Sequence, residues 1–199
     1  MQKRGQAVKE VMIEAASRAF REKGYRAASV DSIARNAGVS KATLYAHFSN
    51  KEGLFKATVR EFVGPILKLM PKAEPVSDVR AELLAFGEKI HRVLLSPEKA
   101  EWDRMMVAIA KQFPSLAQDY FNAGPARAMG QVADFLRAQS QTGRLQIADP
   151  EFSADMLCGM LFGTKILRNL ILNDRNTFDR DRLEQTVDAF LKVHSYEMA

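Results

Sequence analysis

Apolar residues recur every three or four positions along most of this 199-residue chain, which is the period of amphipathic helices. No stretch alternates apolar and polar residues as a half-buried strand does. Two short helices are predicted between residues 29 and 48. The longer predicted helices span residues 7–23, 51–70, 76–95, 97–111, 115–141, 150–172 and 178–196. The pattern therefore predicts an all-α fold of about nine helices.

Proline and glycine punctuate the long helices. Pro65 should kink or interrupt the helix around it near Glu61, because proline cannot donate a backbone hydrogen bond. Residues 71–75, bounded by prolines, are the best candidate for a linker. Gly124-Pro125 lies inside an otherwise helical pattern and should break or bend it.

The two short helices are joined by a tight turn. Ser29 can cap the first helix, and Gly38 can end it in the left-handed conformation that glycine tolerates. Ser40 can cap the second helix, in which Leu44 and Phe48 are four residues apart on an inward face. The outward positions of the second helix are then Lys41, Ala42, Thr43, Tyr45, Ala46 and His47. Small, hydrogen-bonding and basic side chains suit a helix that lies in the major groove of DNA.

This segment resembles the DNA-binding helix-turn-helix of the TetR family of bacterial transcriptional regulators. The resemblance is specific over about the first 55 residues and looser beyond them. The residues that carry it are Gly24-Tyr25, Ser29-Val30, Ile33-Ala34, Ala37-Gly38-Val39-Ser40, Thr43-Leu44-Tyr45, His47-Phe48 and Asn50-Lys51. It implies a DNA-binding domain at residues 1–56 and an effector-binding and dimerisation domain at residues 57–199.

The resemblance also implies two kinds of DNA contact. The residues expected at phosphates are Ser29, Thr43, His47 and Lys51. The residues expected at base edges are Lys41, Ala42, Tyr45 and Ala46, with Ser40 grouped beside them as the helix cap. Tyr45 can alternatively be a half-buried core residue, and His47 a solvated one. Lys3 and Arg4 can reach the minor groove or a phosphate as a flexible arm.

Charge is distributed unevenly and agrees with a DNA-facing amino terminus. Residues 1–56 hold 11 Lys and Arg against 5 Asp and Glu, a net charge of +6. Residues 57–199 hold 18 against 19, a net charge of −1. A basic module joined to a near-neutral body is typical of nucleic-acid-binding proteins.

The last two helices are the candidates for a homodimer interface. Residues 152–172 are apolar on more than one face, so that helix needs partners on both sides. In the TetR family the corresponding two helices pair with their copies in a four-helix interface. The residues expected there are Phe152, Met156, Gly159, Gly163, Ile166, Leu183, Val187, Phe190 and Leu191. Alternatively, these helices complete the core of a monomer.

The middle helices are the candidate sensor for a small-molecule effector. Methionine and aromatic side chains make adaptable apolar pocket walls, although the same stripe is also typical of plain core. The residues expected to line the pocket are Phe62, Phe86, Ile90, Trp102, Met105, Met106, Ile109, Phe113, Tyr120, Phe121, Met129 and Met160. Residues 111–128 resemble the AefR-like carboxy-terminal type of the family, which implies an apolar effector.

Other classes of protein find little support. The sequence contains no GxGxxG, P-loop, HExxH or GxSxG motif, so neither an enzyme nor a cofactor is expected. His47, His91 and His194 lack metal-ligand spacing, and no metal is expected. Cys158 lies among apolar residues, which favours an unreactive thiol over a redox switch.

The expected function is therefore a dimeric repressor that binds double-stranded operator DNA and is released by an effector. With neither a signal peptide nor a bilayer-length apolar run, a soluble cytoplasmic protein without membrane contact is expected. The alternatives are an activator, or a DNA-binding dimer that has no effector.

Overall fold

The computed structural model describes residues 2–173 and 178–194, with side chains from residue 5 onward. Within these ranges all regular secondary structure is helical, as the sequence predicts. The helices are α1 Gln2–Ala27, α2 Val30–Asn36, α3 Lys41–His47, α4 Lys51–Leu67, α5 Val79–Leu94, α6 Pro97–Ile109, α7 Pro114–Ala123, α8 Pro125–Gln141, α9 Pro150–Leu172 and α10 Arg180–Val193. The described part has ten helices rather than nine, because the chain breaks at Gly124-Pro125 into α7 and α8.

Two helices differ from the prediction in their extent. α1 begins at Gln2 and passes through Gly24, whose φ of 76° and ψ of 161° are not helical, before it ends at Ala27. The predicted stop is therefore a kink followed by one more turn. α4 continues through Pro65 to Leu67 and is not interrupted. Pro65 lies in the last turn, so few helical hydrogen bonds remain beyond the one it removes.

Side-chain caps define several helix starts. Asp78, Asp149 and Asp179 each accept a hydrogen bond from the backbone N–H three residues later, at 2.9, 2.9 and 3.1 Å. Carboxylates at these positions satisfy an otherwise unpaired donor and complement the positive end of the helix dipole. The starts of α5, α9 and α10 are fixed locally by sequence.

One compact unit comprises residues up to Pro65 together with Glu101–Gly124. Its core is rich in aromatic rings, with Phe20 packed on Phe55 at 5.3 Å between ring centroids and Trp102 on Phe62 at 5.3 Å. The unit therefore contains most of α6 and all of α7 in addition to the first helices. The bounds of this compact unit differ from the domain boundary predicted at residue 56, because residues 101–124 contribute to the first core.

Ion pairs formed by Arg21 and Lys56 connect the helices of this first unit. The Arg21 guanidinium in α1 lies 3.1 Å from the Glu101 carboxylate in α6. The Lys56 ammonium in α4 lies 2.9 Å from Glu52 and 3.1 Å from Asp119 in α7. Both α6 and α7 are thus tied to helices that flank the helix-turn-helix.

The second compact unit comprises Ile66–Ala100 and the described residues from Pro125 onward. Helices α5, α8, α9 and α10 surround a core in which Leu83, Phe135, Leu157, Val187 and Phe190 are fully buried. The Arg80 guanidinium in α5 donates two hydrogen bonds to the Asp188 carboxylate in α10, at 2.6 and 3.0 Å.

The predicted linker at residues 71–75 is held in this second unit by a buried amide. Gln139 Nε2 donates to the Glu74 carbonyl at 2.8 Å, and Gln139 Oε1 accepts from the Val76 N–H at 3.1 Å. Both ends of one buried side chain thus satisfy backbone groups in the segment that leads into α5.

Candidate nucleic-acid interface

The turn between α2 and α3 has the geometry that its sequence predicts. Gly38 has a φ of 66°, in the left-handed region, and its N–H bonds to the Arg35 carbonyl at 3.1 Å. The Val39 N–H reaches back to the Ala34 carbonyl at 3.0 Å. Ser40 Oγ then accepts from the Thr43 N–H at 3.0 Å and starts α3. The geometry of the tight turn therefore follows from the residues that occupy it.

Helix α3 buries one face and exposes the other. Leu44 and Phe48 are buried, as is Ile33 of α2, so the inward face is fixed by apolar packing. The exposed residues of α3 are Lys41, Ala42, Tyr45, Ala46 and His47. Tyr45 is 41% exposed and lies on this outward face. Thr43 is half-buried.

Lys41, the expected guanine reader, forms an ion pair within the helix-turn-helix. Its Nζ lies 2.9 Å from one carboxylate oxygen of Asp31 in α2 and 3.2 Å from the other. The hydrogen bond to Asp31 and the charge of that carboxylate raise the pKa of Lys41. Sequence reasoning missed Asp31, and its only signal was an acidic residue within a basic module.

Lys51, at the start of α4, lies against Tyr25 and Arg26. Its ammonium is 4.7 Å from the centroid of the Tyr25 ring and donates to the Arg26 carbonyl at 3.1 Å. Partial burial lowers the pKa of Lys51. Burial raises the pKa of Tyr25, with a further contribution from the Glu52 carboxylate.

The other expected phosphate ligands are partly engaged in local structure. Ser29 Oγ accepts from the Ser32 N–H at 3.1 Å as the cap of α2. The hydroxyl of Thr43 lies 2.8 Å from that of Ser40. His47 is exposed at the end of α3. The backbone of Lys3 and Arg4 belongs to α1 rather than to a separate arm, and their side chains lie outside the described residues.

The predicted effector-pocket residues fall in both compact units. In the first unit, Trp102 is fully buried and stacked on Phe62 and Tyr120, with centroids 5.3 and 6.3 Å away. Met105, Met106 and Ile109 are also buried in that unit. Phe113 instead packs edge-on against Tyr25 at 5.1 Å. Phe121 is exposed and is therefore not a buried wall residue.

In the second unit, Phe86 and Ile90 are buried in the core and Met129 packs against it. Met160 is exposed on α9. It lines a groove between α9 and α10 rather than the buried core of this unit. In the first unit, the Tyr120 hydroxyl donates a hydrogen bond to the Asp103 carboxylate at 2.8 Å.

Helix α9 carries a stripe of exposed apolar residues. Phe152, Leu167 and Ile171 are 65, 54 and 68% exposed, and Gly159 and Gly163 lie exposed between them. Met156 and Ile166 are half-buried at its edges. Adjacent to the stripe, a groove of about 560 Å³ runs between α9 and α10 and is lined by Gly159, Met160, Gly163, Thr164, Thr186 and Ala189.

The residues expected to make the interface from α10 are not on the surface. Leu183, Val187, Phe190 and Leu191 are all buried in the core of the second unit. That half of the prediction is wrong, since the apolar stripe of α10 packs on α5 and α9 of its own chain. The exposed face of α10 is formed by other residues, among them Gln185, Ala189 and Val193.

No cluster of three or more metal-ligating side chains occurs among the residues that the structure describes. Nor is any described helix long and apolar enough to cross a membrane.

Family models match both parts of the chain. Residues 12–58 match the bacterial regulatory proteins of the tetR family. Residues 81–195, more than half of the chain, match the AefR-like transcriptional repressor, C-terminal domain.

Relatives and solved structures agree with these matches. The chain is 29% identical to the uncharacterized HTH-type transcriptional regulator YvkB of Bacillus subtilis, over 82% of this chain and 84% of that protein. It superposes on a TetR-family regulator from Mesorhizobium loti with a TM-score of 0.81 at 27% identity, over 96% of each chain. The flavonoid-responsive regulator FrrA gives a TM-score of 0.82 at 27% identity, over 95% of each chain. Because these matches agree with the helix-turn-helix geometry, the chain belongs to the TetR family of bacterial transcriptional regulators, DNA-binding proteins that are not enzymes.

Proposed function

We propose that this protein is a repressor that binds a palindromic operator as a homodimer and releases it when a small apolar effector binds. The observation that carries the proposal is the exposed face of α3, where Lys41, Ala42, Tyr45 and Ala46 stand free of the core. That face is held rigidly from behind by Leu44 and Phe48, so its side chains have a fixed register. An operator-binding regulator would act in the cytoplasm, where the chromosome lies.

The proposed DNA contacts divide into those that position and those that specify. Lys41 can donate to guanine O6 and N7, and the methyl groups of Ala42 and Ala46 can contact thymine methyls. Lys51, with Ser29, Thr43 and His47, would contact phosphates. An ammonium group has three N–H donors, and one hydrogen bond to the Arg26 carbonyl leaves others for a phosphate oxygen.

A homodimer is supported by the outer face of α9. Its exposed apolar residues would lose contact with water on pairing with the same face of a second copy, as a two-fold interface requires. At Gly159 and Gly163 a side chain would meet no neighbouring atom within 4 Å, so a partner helix has room to approach. Two reading helices related by symmetry then match the two halves of a palindrome.

The effector is the least constrained part of the proposal. The flavonoid-responsive regulator FrrA is similar over nearly the whole chain, which favours a planar aromatic compound. Aromatic and methionine side chains around Trp102 have the chemistry to bind one. A second candidate is a dimer with no effector, and the mutual stacking of Trp102, Phe62 and Tyr120 favours it, since these rings already pack on one another.

Repression, rather than activation, is supported by the matched AefR-like repressor domain. We propose that the effector prefers a dimer conformation in which the two α3 helices no longer fit the operator spacing. Typical couplings of about 1–3 kcal/mol would lower operator affinity roughly 5- to 150-fold. Helix α4 is the candidate lever, since it begins at Lys51 and contains Pro65.

The test is a selection of random duplex DNA against the purified protein at moderate salt, followed by sequencing. An enriched palindrome would support a specific dimeric regulator. Binding without an enriched motif that disappears as salt rises would contradict it, because charge alone would then hold the DNA. Adding flavonoids to the protein bound to its selected palindrome then tests the favoured effector class: release supports a sensor of planar aromatic compounds, and unchanged affinity contradicts that class of effector.

A further inference from the structure

The ammonium of Lys51 is positioned by the residues at the end of α1. Its Nζ lies 4.7 Å from the centre of the Tyr25 ring and 3.1 Å from the Arg26 carbonyl oxygen. A ring face attracts a cation through its quadrupole, and the carbonyl fixes one N–H direction. A lysine side chain has four rotatable bonds, so without such contacts the ammonium would sample a wide volume. The Tyr25 ring and the Arg26 carbonyl therefore together determine where the ammonium lies.

The Tyr25 ring is in turn fixed by aromatic neighbours from three parts of the first compact unit. Phe20 of α1 lies 5.6 Å away in a tilted arrangement, and Phe55 of α4 lies 5.1 Å away edge-on. The third neighbour is Phe113, also edge-on, at 5.1 Å and an interplanar angle of 73°. Phe20 and Phe55 flank the helix-turn-helix, whereas Phe113 comes from the corner between α6 and α7.

That corner has a defined backbone. The Phe113 N–H bonds to the Ile109 carbonyl at 2.8 Å, which closes the end of α6, and Pro114 begins α7. Arg21 with Glu101 and Lys56 with Asp119 bind the same two helices to α1 and α4. The Phe113 ring is therefore presented to Tyr25 by a segment anchored on both sides.

We infer that Phe113, acting through Tyr25, positions the Lys51 ammonium for contact with a DNA phosphate. Phe113 is a positioning residue, since its ring contacts Tyr25, which in turn contacts Lys51. The inference rests on the proposed function, in which Lys51 is a phosphate ligand. It gives Phe113 a role different from the pocket wall that the sequence suggested.

The first test reads the Lys51 position without DNA. A proton above an aromatic ring is shifted upfield, so the ε-methylene protons of Lys51 should carry a ring-current shift in the NMR spectrum of the full chain. Phe113→Leu should move that resonance towards the position of an exposed lysine. Phe135→Leu is the control, because it also shortens a phenylalanine, one that is fully buried in the second compact unit. An unchanged Lys51 resonance in Phe113→Leu would overturn the inference.

The second test is a double-mutant cycle on duplex DNA binding, measured by fluorescence anisotropy as a function of salt. Lys51→Ala should lower the salt slope by about one unit. Phe113→Leu should weaken binding roughly 3- to 10-fold in the wild-type background and have little further effect when Lys51 is already alanine. Equal losses in both backgrounds would overturn the inference, because Phe113 would then act independently of Lys51.

The two proposals fail in distinguishable ways. If Lys51→Ala leaves the affinity and salt slope unchanged, the phosphate role of Lys51 is wrong, whatever the NMR experiment shows, and the inference falls with it. If Lys51→Ala behaves as expected but the cycle shows no coupling, only the role of Phe113 is wrong. Thermal melting of Phe113→Leu and Phe135→Leu checks that both variants are folded at the assay temperature.

Discussion

Lys41 on α3 and Asp31 on α2 form an ion pair, with Lys41 Nζ 2.9 Å from the nearer carboxylate oxygen. Both side chains are exposed, so the pair contributes little to folding stability. Its importance lies in DNA binding, because Lys41 is the residue we expect at a guanine. Asp31 raises the pKa of Lys41, so the lysine remains protonated at any pH at which operator binding would be measured.

Lys41→Ala should relax preference at particular positions of the selected operator, by about 1–3 kcal/mol against a substituted base pair. Asp31→Asn should instead strengthen binding to every duplex, because it removes a negative charge near the phosphates and frees Lys41. Competition binding against single-substitution operators measures both. A uniform loss in Lys41→Ala, with no change in base preference, would show that Lys41 is a phosphate contact.

Lys51→Ala should weaken binding to all sequences alike and lower the salt slope by about one unit, because one phosphate contact is lost. The control is Lys89→Ala, which removes an exposed lysine from α5 in the second compact unit. Titration of selected and random duplexes at several salt concentrations measures the effect. If Lys51→Ala and Lys41→Ala have identical, sequence-independent effects, the proposed division between phosphate and base contacts is wrong.

The helix-turn-helix could be predicted from sequence because its determinants are local. Capping by Ser29 and Ser40 and the left-handed conformation of Gly38 each act within a few residues. The ion pair between Asp31 and Lys41 could not be predicted in the same way, since it joins two helices across the turn. It depends on the angle between those helices rather than on spacing along either of them.

The apolar face of a helix is easier to predict from sequence than the helix that covers it. The stripe of α10 correctly indicates that Val187 and Phe190 are buried, but a stripe does not say whether a helix of the same chain or of a partner covers it. The packing of residues 101–124 with the amino-terminal helices is equally non-local. Phe113 was therefore expected in a pocket, whereas the fold places it on Tyr25.

Leu167→Glu on the outer face of α9 should convert the proposed dimer to a monomer, because two carboxylates would be buried opposite each other across a two-fold interface. Val107→Glu is the control, since Val107 is also exposed and apolar but lies on α6. Sedimentation velocity of both variants measures the assembly. A dimer that persists in both variants would show that the interface lies elsewhere.

Gly87→Ala should destabilise the fold by about 1–3 kcal/mol, as overpacking of a core does. A Cβ at Gly87 of α5 would lie 2.5 Å from Leu183 Cδ1, and Leu183, which belongs to α10, is itself buried. Gly130→Ala is the matched control, because Gly130 lies inside α8 and its Cβ would meet no atom within 4 Å. Gly130→Ala should be neutral or stabilising by up to about 1 kcal/mol. Urea unfolding compares the two, and equal midpoints would refute the close packing of α5 on α10.

Cys158 should react very slowly with thiol reagents, which argues against a redox switch. Burial, together with the nearby Asp155 carboxylate, raises the pKa of Cys158 to about 12. At pH 8 the thiolate fraction would then be about one in ten thousand, roughly three orders of magnitude below that of an unperturbed cysteine. The rate of alkylation by iodoacetamide, followed by mass spectrometry, should rise with pH over the whole range in which the protein stays folded. The urea-unfolded chain is the control and should react at the rate of an ordinary thiol. Equal rates in the folded and unfolded chains at pH 8 would show that the thiolate is accessible and would restore the redox hypothesis.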